Sequence, residues 1–401
     1  MRPVHKFFAL ALITGTAALP AHAQTAVAPP AVQAFLANLE RQTSIKPAYE
    51  GLTDDGSGNV TITNLTLAQP ARADAPGLNV KMGEVSFSGI TERGRSLYEV
   101  EKASFSNISL EVNGQGGFSA SIPQAGAEGW YIRALGENPT PVDELLATSS
   151  FARKMSSGPI SLSASGQTIS VDGAESTWNG DPDTGAGSFN MKVSNIAIPE
   201  SVVALMDQGG VLKQLGYTSL NLDFATMGDM KLDGETVSYS FELGLTGRDI
   251  AKISLGAAFA KIPLAVYAQL LKAHTEGKEP DYTALMPQMQ GITLNGASLR
   301  FEDQSLVNRL MPLAAAMQGM DENTLRASIG PMVQLALVQL QNEAFTQQAL
   351  AAVNAFVAGP KSLTVSAKPA TALTVSELSV MDPNKPAEAI NRLGLTVTAN
   401  D

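Results

Sequence analysis

Met191-Lys-Val-Ser-Asn-Ile-Ala-Ile198 places apolar side chains at 191 and 193, skips a position, and resumes at 196 and 198. Side chains alternate faces along a strand, so a slip of one residue sends the second apolar pair to the opposite face unless an extra residue is absorbed. A β-bulge absorbs one. The same spacing occurs at Val60/Ile62/Leu65/Leu67, Val80/Met82/Val85/Phe87, Ala103/Phe105/Ile108/Leu110, Ile292/Leu294/Ala297/Leu299 and Leu373/Val375/Leu378/Val380. Three copies carry asparagine at the slip, Asn64, Asn107 and Asn195. Asparagine tolerates the left-handed backbone region better than most residues, which suits a bulge or tight kink. Repeated bulges increase twist and curl a sheet. The predicted fold class is therefore α+β: long, curved, strongly twisted antiparallel sheet with bulged strands, packed against several short helices concentrated in the C-terminal half.

Working outward, the first residues form a basic start, a mostly apolar run from Phe7 to Ala18 and an Ala21-His22-Ala23 cleavage pattern. These are the marks of a secretory signal peptide over 1–23 and point to a periplasmic or secreted address. No later stretch approaches the ~20 apolar residues of a membrane helix. The chain has no cysteine, which excludes disulfides, thiolate nucleophiles and Cys-ligated metals. Its formal charge of -11 becomes -13 when Arg2 and Lys6 leave with the signal (-11 minus 2). That acidity argues against nucleic acid and against anionic membrane surfaces as partners.

Val32, Phe35, Leu36 and Leu39 fall at helical spacing, and 49–132 reads as an antiparallel meander divided by turn-forming runs such as Asp54-Asp-Gly-Ser-Gly-Asn59. Thr140-Pro141 opens a helix expected to reach about Met155, and Ile160 to Val171 reads as strand. The densest turn formers lie in 173–187, the candidate boundary between an N-terminal half, 24–172, and a C-terminal half, 188–401; a long hairpin loop has the same composition. In the second half, Val202, Val203, Leu205 and Met206 are expected on the buried side of a helix interrupted at Gly209-Gly210. Ser219–Thr226 and Val237–Leu245 form a hairpin through Asp233-Gly234. Helices are expected near 264–273, 282–289 and across a block at 305–358 that Pro312 and Gly330-Pro331 divide. Asp321 is expected to cap one of these helices. Phe345, Ala349, Ala352, Val353 and Phe356 form a stripe on the last of them, closed by Gly359-Pro360. Strands are predicted at 362–366, 372–380 and 393–397.

Chemistry-bearing constellations are sparse. His274 is the sole imidazole outside the expected signal peptide and reads as an exposed loop residue. No nucleophile elbow, P-loop or zinc-protease motif occurs, so no catalytic residue, cofactor or metal is assigned. Asp54-Asp55 and Asp181/Asp183 resemble calcium loops only superficially. Aligning Gly58 with the invariant EF-hand glycine puts Thr53 first and Asn64 last, where a bidentate glutamate belongs. Hairpin turns account for both. Glu302-Asp303 and Asp321-Glu322 precede helical runs and are explained by capping. Trp130 and Trp178 are too few aromatic platforms to support sugar chemistry. Met286, Met289, Met311, Met317 and Met320 fit core filling, with an adaptable apolar pocket as the alternative.

Val60-Thr-Ile-Thr-Asn-Leu-Thr-Leu67 and Ala103-Ser-Phe-Ser-Asn-Ile-Ser-Leu110 resemble the strand repeats of AsmA-like envelope proteins. The resemblance covers about the β third of the chain and carries over no functional residue. It implies a long curved sheet whose apolar face holds acyl chains in the periplasm. The expected function is a non-enzymatic periplasmic protein that binds a lipid or other apolar ligand in envelope maintenance. Its groove would be lined by Leu310, Met311, Phe345 and Phe356; the same helices filling the trough would leave a closed core. The alternative is an interaction or structural module with an envelope protein as partner.

Overall fold

The computed structural model describes residues 27–71, 76–94, 96–114, 117–136, 139–148, 151–275 and 279–401, so the expected signal peptide, 1–23, lies outside the described residues. Among the described residues there are 18 strands and 11 helices, and the class is α+β with antiparallel pairing. The chain divides into two compact units after Ile196, with Tyr267–Asp281 belonging to the first.

In the first unit, helix α1 (Pro30–Thr43) precedes strands β1 (Pro47–Ala48), β2 (Gly51–Asp54), β3 (Val60–Gln69), β4 (Gly77–Gly94), β5 (Leu97–Asn113) and β6 (Phe118–Arg133). Helix α2 (Pro141–Thr148) follows, then β7 (Ala152–Ser157), β8 (Ile160–Ala164), β9 (Gln167–Val171), β10 (Gly173–Gly180) and β11 (Gly187–Ile198). Strands β3 to β6 pair as a meander, β1 and β2 both edge β3, and β6 pairs with β7 and β8 in turn. β7 pairs with β10, β10 with β11, and β8 with β9.

The phase shifts are steps taken by neighbouring strands together. Asn64, Asn107 and Asn195 have φ of 51°, 52° and 50°, the left-handed conformation expected of them. Thr63 pairs with Glu84 and Leu65 with Met82, so the register is the same on both sides of Asn64. At this level it is equally unbroken across β4–β5 and β5–β6, the one shift in β4–β5 lying at the far end between Glu92 and Gly94. Asn64, Gly83, Asn107 and Pro123 thus lie abreast, and four strands change face at one level. Pro123 suits this rung because it has no N–H to give to a ladder. A second step lies beyond Phe87, where Gly89 and Gly129, at φ 65° and 56°, flank Glu101 on the intervening strand.

These steps keep one face inward. Val60, Ile62, Leu65, Val80, Met82, Val85, Phe87 and Val100 are buried along it, and α1 lays Val32, Phe35 and Leu39 on top. Phe35 meets Phe87 and Trp130 edge-on, with ring centroids 5.2 and 5.6 Å apart. Such aromatic pairs add about 1 kcal/mol each beyond the area they bury. Of the eleven largest fully buried side chains, ten lie in this unit; only Val266 belongs to the other.

Three expectations change here. Thr140 caps α2, its Oγ1 accepting the Asp143 N–H at 3.2 Å, yet the helix ends at Thr148 instead of about Met155. Ala152–Ser157 is strand because both its edges are paired, to β6 and β10, and a two-sided ladder overrides local helix preference. Ile160–Val171 is a hairpin, not one strand: Ser165 and Gly166 both have positive φ, the backbone of a tight two-residue turn. Residues 173–187 are β10 and its turn into β11, the hairpin alternative, and the division between units falls after Ile196.

The second unit contains α3 (Glu200–Met206), α4 (Val211–Gln214), β12 (Leu220–Asp233), β13 (Thr236–Gly247), β14 (Ala251–Pro263) and the start of α5 (Leu264–Thr275). After α6 (Tyr282–Met289) come β15 (Thr293–Asp303), α7 (Leu306–Met317), α8 (Glu322–Val338) and α9 (Glu343–Ala358). β16 (Ser362–Ala367), β17 (Leu373–Thr374), α10 (Val375–Ser379), α11 (Pro386–Leu393) and β18 (Leu395–Ala399) complete it. The strands pair antiparallel in the order β12–β13–β14–β15–β16–β18, with β17 also on β15. True register shifts occur here: one beside Lys261, at φ 56°, and one where β15 gains Asn295 against Ala258/Phe259.

The helical block has three helices, but Pro312 and Pro331 lie inside α7 and α8 instead of dividing them. The breaks follow the caps. Asp321 accepts the Thr324 N–H at 3.0 Å, as expected, and Asn342 accepts the Phe345 N–H at 3.0 Å. Leu373–Val380, expected as a strand, turns helical after two residues. Thr374 Oγ1 accepts the Glu377 N–H at 3.1 Å, while Glu377 accepts the Thr374 N–H at 2.9 Å, a reciprocal capping box. Gly209-Gly210 separates α3 from α4 as expected, although Leu205 and Met206 are exposed and Val203 alone of that helix is buried.

Asn107 is exposed, so substitutions there test backbone conformation with little change in packing. Asn107→Gly is expected to keep or slightly raise stability in guanidinium melts, whereas Asn107→Val lowers it by about 1–2 kcal/mol, the cost of forcing a Cβ-branched residue into left-handed backbone.

Candidate functional site

Reading the register across the second unit sorts its side chains cleanly by face. One row runs Phe224, Leu245, Ile253, Phe301, Leu363, Ala399 from β12 to β18, and the next runs Thr226, Leu243, Leu255, Leu299, Val365, Val397. A third is Gly228, Phe241, Ala257, Ala297, Ala367, Leu395, and a fourth joins Met230, Tyr239, Phe259, Leu294 and Leu373. Lysine, arginine, aspartate and glutamate are absent from all four rows. The opposite face carries Asp223, Thr246, Lys252, Glu302, Ser362 and, one rung on, Ser254, Arg300, Thr364, Thr398.

An apolar sheet face normally requires a cover. Here the cover lies at one end. Helix α9 packs Phe345, Ala349 and Ala352 with Leu363, Val397 and Ala399 of β16 and β18, and Phe356 meets Phe301 edge-on at 6.0 Å. Towards β13 and β14 the face is open: Leu245, Ile253, Leu255, Leu299 and Val365 are 44, 48, 45, 50 and 39 % exposed. They are contiguous, since Leu245 pairs with Ile253, Leu255 with Leu299, and Leu299 with Val365. Single exposed leucines are ordinary, whereas a contiguous apolar strip is a candidate interaction surface.

The cations nearest this strip in sequence are held on the polar face. Arg300 reaches Glu302 at 2.9 Å, Asp401 at 2.7 Å and Thr364 at 2.9 Å, and Arg248 pairs with Asp223 at 3.0 Å. Hydrogen bonds from Thr398 and Arg300 hold the Asp401 carboxyl down at about 2.

Of the residues expected to line a groove, Phe345 and Phe356 lie between α9 and the sheet, Leu310 is exposed on α7, and Met311 is half-buried on the same helix. The open strip instead consists of strand residues. Their alternation is visible in the sequence, but nothing local says which rows a helix covers. His274 falls in the last turn of α5, and its side chain lies outside the described residues. The acidic turns are self-contained: Asp55 accepts from the Ser57 and Asn59 backbone and the Asn59 amide, which holds its carboxyl low, and Asp181 caps its own turn. Among the described residues no group of three His, Cys, Asp or Glu could hold a metal ion. In the first unit, a half-open hollow is lined by a mixture of polar and apolar groups, among them Lys102, Ala103, Gln124, Ala125, Lys154 and Ser156.

Residues 244–400, less than half of the chain, match the model of a family described as "Uncharacterized protein". That stretch begins within β13 and ends beside β18, so it contains all five residues of the open strip and helices α7 to α9 beside it. No curated protein matches the chain.

The carboxyl of Asp401, normally near 3.8, is lower in the folded chain, so its stabilising contribution is present above pH 4 and is lost as pH falls through about 2. Acid titration of unfolding free energy is expected to show a shallower loss between pH 4 and 2 for Arg300→Gln than for the parent, with the curves parallel above pH 5.

Proposed function

We propose that the protein is a non-enzymatic binder of a lipid or other apolar ligand in the periplasm, acting in envelope maintenance. The observation that carries this is the uncovered strip Leu245, Ile253, Leu255, Leu299 and Val365 on a regularly paired amphipathic sheet. Each of these side chains forgoes about 1 kcal/mol by standing roughly half in water, a gain open to any hydrocarbon that lies on them. The signal-peptide pattern and the resemblance to AsmA-like strand repeats support an envelope address and an acyl-chain ligand.

A second reading, docking of an envelope protein, is favoured by helix α8, where Met332, Leu335 and Val338 form an exposed ridge at helical spacing. Crosslinking in cells separates the two, since a protein partner leaves adducts through α8 that do not depend on the strand residues.

Native mass spectrometry of the purified protein is expected to show bound lipid. The double variant Leu255→Thr/Leu299→Thr, which puts β-branched residues of high strand preference at both positions, is expected to melt cooperatively and to lose at least nine-tenths of that lipid, about 1.4 kcal/mol or more of binding energy. A parent protein free of lipid at every stoichiometry overturns the proposal.

A further inference from the structure

Resting on the reading of this strip as an apolar-ligand site, we infer that it selects its ligand by hydrocarbon length and is indifferent to the charge of the headgroup. Selective recognition of an anionic headgroup needs a cation or a cluster of donors facing the ligand. The four rows of the face carry no ionisable side chain other than the Tyr239 phenol. The cations nearest in sequence point away: Lys252 and Arg300 alternate to the opposite face, where Lys252 lies 3.7 Å from Glu302 and Arg300 is held by Glu302 and Asp401. Arg248 is engaged by both oxygens of Asp223 at 3.0 Å. Asp303, one row beyond Phe301 on this face, accepts the Val307 N–H at 2.8 Å at the start of α7, and the four rows themselves carry no acid, so a cationic headgroup gains little.

What the strip does measure is length. It crosses β13, β14, β15 and β16, three inter-strand spacings of about 4.8 Å, with half-buried Phe224 extending it onto β12. Hydrocarbon laid across it contacts a new strand every few methylenes until Phe301 and Phe356 close the row at the α9 end. Affinity therefore rises with each methylene and then stops rising.

The test is a binding series on the full mature chain at physiological salt, which screens the general negative charge of the protein. Fatty acids from octanoate to palmitate are measured beside chain-matched monoacylglycerols and lysophosphatidylcholines, each below its micelle concentration. The expected result is about fourfold tighter binding per added methylene up to a plateau, with anionic, neutral and zwitterionic ligands of one chain length agreeing within about twofold. A tenfold preference for one headgroup, or affinity independent of chain length, overturns this inference and leaves apolar binding standing. Failure of all three series to bind overturns the proposed function itself. Light scattering on the same samples adds one further outcome: a dimer that Leu255→Thr/Leu299→Thr converts to monomer assigns the strip to a second copy of the chain and overturns both.

Discussion

A single buried face has to stay continuous across strands that each change phase, and the first unit meets this by changing phase in all of them at once. Asn64, Gly83, Asn107 and Pro123 lie on one rung, and Gly89, Glu101 and Gly129 on another. Were one strand to lack its step, its apolar residues beyond that rung would point into water while their neighbours pointed inward. The alternation on either side is what lets Phe35 of α1 rest on Phe87 and Trp130 together. Long strands are thereby accommodated without dividing the core.

The second unit applies the same antiparallel alternation and arrives at a different balance. Its sheet is as clearly two-sided, but α9 covers the β16/β18 end and the remaining apolar rows stay partly in water. Among the described residues, all but one of the exposed large hydrophobic side chains fall in this unit, the exception being Val27. The contrast is one of cover, since the strands themselves have regular pairing and few register shifts. A well-paired sheet with an unfinished face keeps its shape while leaving hydrocarbon contacts unfilled.

Much of this was legible in the sequence, for a physical reason. Backbone preferences are local, so asparagine at the slips announced left-handed residues at 64, 107 and 195, and Asp321 announced a helix start. Where local signals were present but weak they were missed. Ala120/Ile122/Ala125/Ala127 repeats the spacing on β6 with alanines too small to stand out, Ser165-Gly166 hides a hairpin, and Thr374-Val-Ser-Glu377 is a capping box inside an alternating run. Prolines misled in the other direction: Pro312 and Pro331 sit within helices whose ends are decided by Gly319 and the caps at Asp321 and Asn342. The open strip was not readable because alternation identifies an apolar face without saying what lies over it.

The shared rungs also constrain how the gene can change. An inserted residue in a strand can be absorbed locally as a bulge, but here a codon lost near Asn107 would throw β5 out of step with β4 and β6 together. Insertions and deletions in this meander are therefore tolerated only in the turns, and lineages of this protein should vary in hairpin length while the distance from each turn to its rung stays fixed.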